Sequence, residues 1–187
     1  MAVSKKWRSL AKLLLLALIF GVCFVMLAAV IGFRSPWLGL QLMFYFMGLA
    51  KAAEPLVMLR MPRAIRAVEA RQVEHGPYRW LGVRKFGELL RTTPLRLLNT
   101  SVYRVGGKRT LSALERRVES SEAIHFWAAV FFSPYIAFIW SRGFVAETIF
   151  FVFVQIAFNV YPILHLRIVR ARLSAIIPRS GRRHGDA

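Results

Sequence analysis

The chain has 187 residues, 57% of them hydrophobic and 19% charged, with a mean hydropathy of +0.48, a balance far to the apolar side of a soluble globular domain. Lys and Arg number 27 against 9 Asp and Glu, a net charge of +18; these residues flank apolar runs, so they read as topology anchors and lipid contacts and exclude nucleic acid as the partner. The single cysteine, Cys23, rules out an intrachain disulfide and a cysteine-built zinc site, and the length fits one integral membrane domain, residues 1–187.

Lys5, Lys6, Arg8 and Lys12 precede an apolar run that ends at Phe33, so residues 10–33 are expected to cross the bilayer as an uncleaved anchor. Arg34, Ser35 and Pro36 make a turn, because a residue before proline is biased away from helix. A second crossing is expected over residues 36–59, although Lys51, Glu54 and Pro55 leave a broken or re-entrant segment open. Lys51 and Glu54 have the spacing to pair with each other.

Residues 60–119 are strongly basic and hold scattered apolar side chains such as Ile65, Val68, Trp80, Val83 and Phe86. They are expected to lie along a lipid surface, with a turn at Gly106 and Gly107. Third and fourth crossings are expected over residues 121–140 and 144–166, closed by the short turn Ser141, Arg142 and Gly143. Glu147 would pair with Arg142. The basic tail, 167–187, follows. Four crossings put the amino terminus, the central segment and the tail on one side, which makes both termini cytoplasmic in a multi-pass protein of the inner (plasma) membrane. The fold class is thus all-α, a four-helix polytopic membrane protein with a basic interfacial segment between the second and third helices.

Ionisable groups at the edge of lipid point to function by default. Glu122 and His125, three residues apart, share one helix face, and His165 and Arg167 occupy the same end of the next helix, with Asn159 about two turns deeper. An imidazole beside a carboxylate has the parts of a general base, the acid holding its tautomer, and neighbouring arginines can hold a phosphate or carboxylate. The structural alternatives are a Glu122 paired with Arg117 or a tail arginine, a His125 reaching to water, and an Asn159 bonding between helices. Glu-x-x-His is also half of a di-iron motif, but no second copy exists, so no metal ligands are assigned. Gly-x-Ser-x-Gly and P-loop patterns are absent.

Three stretches together resemble the glycosyl-4,4'-diaponeurosporenoate acyltransferase family. Glu74, His75 and Gly76 followed by Trp80 to Phe86 resemble its Glu/Gly element and Val-Arg-Lys-Trp-Lys segment; Glu122 to Phe126 resembles its Ala-Glu-x-x-His-Trp. Asn159 to Pro162, leading to Arg167, Arg170, Arg172 and Leu173, resembles its Asn-x-Pro and arginine-rich ending. Leu166, Ile168, Val169 and Phe86 depart from the family pattern, as do Ser120 and Ser121, and Pro162 is displaced by one residue. The resemblance implies transfer of a fatty acyl group, with acyl-CoA as donor and no other cofactor, to a hydroxyl of a lipidic or glycolipid acceptor at the cytoplasmic face. It implies His125 as base and Glu122 as its orienter, with Asn159, Arg167 and Arg170 shaping the site or binding the donor; Arg84 and Lys85 would bind the phosphates of acyl-CoA at a cytoplasmic-side site, and His165, at the same helix end, completes the expected substrate-binding residues. A non-enzymatic lipid-binding or assembly protein and a metal-dependent membrane oxidase are the competing readings.

Overall fold

The structure, a computed structural model, describes residues 2–56, 59–66, 77–93 and 111–176. Among them all regular structure is helical: α1 (Ala2–Ile31), α2 (Pro36–Ala53), α3 (Arg63–Arg66), α4 (Pro77–Trp80), α5 (Val83–Thr92), α6 (Leu111–Ser141), α7 (Val145–Gln155), a π-helical segment (Ile156–Val160) and α8 (Tyr161–Ile176). Three stretches, Lys6–Ile31, Ala113–Ser141 and Val145–Ala175, are long and apolar enough to cross a membrane. The expected crossing over residues 36–59 is a helix of 18 residues that stops at Ala53. Pro55, lacking an N–H, cannot extend its ladder, and Lys51 pairs with Glu54 just there. The tail also differs from expectation, since Arg167 to Ile176 continue the α8 helix. The Gly106–Gly107 turn, Val68, the Glu74–Gly76 element and residues 177–187 lie outside the described residues.

The chain forms two compact units, residues 1–61 with 123–162, and residues 62–122 with 163–187. In the first, α1 ends where Gly32 adopts a left-handed φ of 77°, the conformation that suits a helix stop. Ser35 is extended and Pro36 opens α2, where its missing N–H costs nothing. Phe20 of α1 meets Tyr45 of α2 at 4.9 Å between ring centroids. A core of Met43, Phe132, Tyr135, Ile139, Phe151 and Val154 joins α2, α6 and α7. Gly39 permits this approach, since a Cβ there would lie 2.1 Å from Phe151. Gly143, with φ 76°, closes the α6–α7 turn. Glu147 pairs with Arg34 at 2.6 Å, not with Arg142 as expected, because the α1–α2 turn brings a guanidinium that also stacks on Phe144. Leu14, Leu18, Val22, Val25, Met26 and Val30 of α1 stay exposed, a surface that lipid, not water, would cover.

In the second unit, Val83 of α5 packs on Ile168 and Ala171 of α8 beside Tyr78. Val118 of α6 packs on Leu166 and Leu173. α5 also presents Gly87 to His165, where a Cβ would approach the imidazole to 2.6 Å.

Candidate active site

His125 lies in the first unit on α6. Facing it, the π-helical turn Ile156–Val160 interrupts the α7–α8 rod, and the Tyr161 N–H bonds back five residues to Ile156. A π turn commonly forms where a proline or an inserted partner disturbs the ladder, and Pro162 follows directly. His125 Nδ1 sits 3.1 Å from the carbonyl oxygen of Phe158.

A chain of hydrogen bonds sets the remaining polar groups. Gln155 Nε2 donates to the Ala129 carbonyl at 2.8 Å, which leaves its Oε1 to accept from Asn159 Nδ2, also at 2.8 Å. The backbone acceptor therefore decides which way each amide points. Asn159 Oδ1 is left over: the side chain is fully buried, that oxygen has no hydrogen-bond donor, and the carboxamide neighbours the imidazole. A buried acceptor without a donor is costly, and a hydroxyl or a ring N–H of the neighbouring imidazole would satisfy it.

The second unit holds a separate ionic cluster. Glu122 has no exposed surface, yet Arg167 Nε donates to its Oε1 at 2.7 Å and Arg170 Nη1 lies 3.0 Å from its Oε2. The two arginines are three residues apart on α8, so they share a face. Their remaining arms reach the carbonyls of Ile65 and Arg66 at the end of α3. Arg66 in turn pairs with Glu119 at 2.7 Å, and Tyr78 neighbours Arg167. Two guanidiniums on one carboxylate leave an excess positive charge, offset by helix-end carbonyls.

The candidate residues therefore fall into two groups. His125 and Asn159 meet in the first unit; Glu122, Arg167 and Arg170 meet in the second. His165 is buried in the second unit, with Phe86 edge-on at 6.4 Å, while Lys85 is exposed on α5. The Arg84 side chain lies outside the description. Among the described residues no three His, Cys, Asp or Glu side chains group as metal ligands would. Sequence reasoning passed over Gln155, whose signal was an amide in an apolar run one helical turn before Asn159, and over Tyr78 and the Phe158 carbonyl.

Comparison with known families matches residues 64–179 to the glycosyl-4,4'-diaponeurosporenoate acyltransferase family. No curated protein matches the chain, and no solved structure does.

Proposed function

Because the chain belongs to the glycosyl-4,4'-diaponeurosporenoate acyltransferase family, we propose that it moves a fatty acyl group onto a hydroxyl of a lipidic glycoside, with His125 as general base. The imidazole takes the hydroxyl proton as that oxygen attacks the acyl carbonyl; collapse of the tetrahedral adduct expels the donor's leaving group, which takes the proton back. With acyl-CoA as donor the leaving group is a thiol and the product is an ester. The observation that carries this reading is a half-buried histidine held by the Phe158 carbonyl and bordered by the orphan Asn159 Oδ1 within an apolar helix layer. Both oxygens suit the charge the ring bears while it holds the proton. Asn159 Oδ1 would accept a neighbouring hydroxyl of the acceptor, which selects a polyol such as a sugar.

Glu122 serves through Arg167 and Arg170, fixing the segment at Ile65 and Arg66, and the exposed Lys85 with Arg84 would meet the donor's phosphates. Four crossings remain the proposed topology: α2 is about 27 Å long, close to the roughly 30 Å of hydrocarbon, and a chain returning through α2 keeps all basic parts on the cytoplasmic side of the plasma membrane. Lipid extracts test the reaction. Cells lacking the gene should lose an acylated glycolipid, wild-type complementation should restore it, and a His125→Ala protein made in normal amount should not. Restoration by that variant would remove His125 as the base.

A further inference from the structure

Beyond the π bond from the Tyr161 N–H to Ile156 the rod returns to the α register, in which the donor four residues beyond the Phe158 carbonyl belongs to residue 162. That residue is proline and has no N–H. A main-chain carbonyl away from water requires a donor, and His125 Nδ1, 33 residues away in sequence on α6, meets it at 3.1 Å.

We infer that Pro162 is a positioning residue for His125: by withholding its own N–H it assigns the Phe158 carbonyl to Nδ1, and so fixes the tautomer whose bare Nε2 receives the acceptor's proton. A carbonyl oxygen only accepts, so Nδ1 must carry the hydrogen and Nε2 the lone pair. Any other residue at 162 brings an N–H that, in the α register, reaches that oxygen and competes with the imidazole. The inference rests on the reading of His125 as base, and it accounts for the proline lying one turn beyond Phe158 inside a continuous helical rod. The oxygen that orients the ring is a main-chain atom, whose supply is set by residue 162.

The test uses full-length protein in lipid nanodiscs, with ¹⁵N-histidine incorporated and the His125 signals assigned by loss in His125→Gln. In the wild type, Nδ1 should be the protonated nitrogen and Nε2 the bare one. In Pro162→Ala the population should move toward the Nε2–H form favoured by a free histidine side chain. Its kcat should drop by about tenfold at unchanged KM, a part of the ~100-fold or more that a positioned base supplies. A wild-type spectrum with the hydrogen on Nε2 overturns the inference without any proline variant, and so does a Pro162→Ala spectrum identical to wild type. A shifted tautomer at unchanged kcat upholds the positioning and counts against the base, which separates failure of the two claims.

Discussion

The Glu122 carboxyl has no exposed surface, and its compensation comes from the two guanidiniums of Arg167 and Arg170. Removing one member of a buried ion pair costs about 3–5 kcal/mol, because the remainder is left uncompensated. Glu122→Gln would leave two arginines facing each other across a neutral amide. We expect it to lower stability by about that amount, read as a lower midpoint in detergent unfolding; a midpoint equal to wild type would show that Glu122 is not what holds the arginines. Arg167→Lys keeps the charge but loses the fork that reaches Glu122 and Ile65 together, so a smaller loss is expected. The pairing of a carboxylate and an imidazole at i,i+3 was legible in the sequence. A tail arginine was among the expected partners of Glu122, and Arg167 and Arg170 fill that place; the Phe158 carbonyl that meets His125 was not legible, since a main-chain acceptor 33 residues away has no signature in side-chain spacing.

At the scale of elements, helix identity followed from apolar periodicity and punctuation, and helix ends followed from proline and glycine. Pro36 and Gly143 sit at the turns where expected. The second helix was expected to be longer because composition alone weighs Leu56 to Leu59 as apolar, whereas Pro55 ends the hydrogen-bond ladder. α6 begins at Leu111, where the Thr110 start and the Ser112–Glu115 capping spacing place it, whereas α8 runs past Leu166, since residues such as Arg170 are good helix formers even where they leave the apolar run. Gln155 escaped because an amide in a helix declares its partner only in three dimensions. Packing between elements gives a sharp test at Gly39, whose missing Cβ makes room for the buried Phe151 ring. Gly39→Ala should destabilise by about 1–3 kcal/mol, the usual cost of overpacking a filled core. Phe151→Leu in the same protein should recover part of it, and an unaltered unfolding midpoint in the single variant would contradict the close approach.

For the whole molecule, the all-helical class and the membrane setting were legible from composition, and the crossing count rests on α2. The Arg34–Glu147 pair joins the α1–α2 turn to the α6–α7 turn, and the proposed four-crossing topology puts both turns on one side of the bilayer, opposite the amino terminus. Cys23 replaced by Ala gives a background for single cysteines at Ser35, Ser141 and Ser4. An impermeant maleimide applied to intact cells should label the first two and spare the third; labelling of only one turn would break the four-crossing topology. Function is the step beyond topology, and the reconstituted reaction tests it most directly. With purified protein in vesicles holding a glycosylated carotenoid, and labelled acyl-CoA supplied, wild type should form an ester that His125→Ala forms at least ~100-fold more slowly. Equal rates for the two proteins would contradict the account.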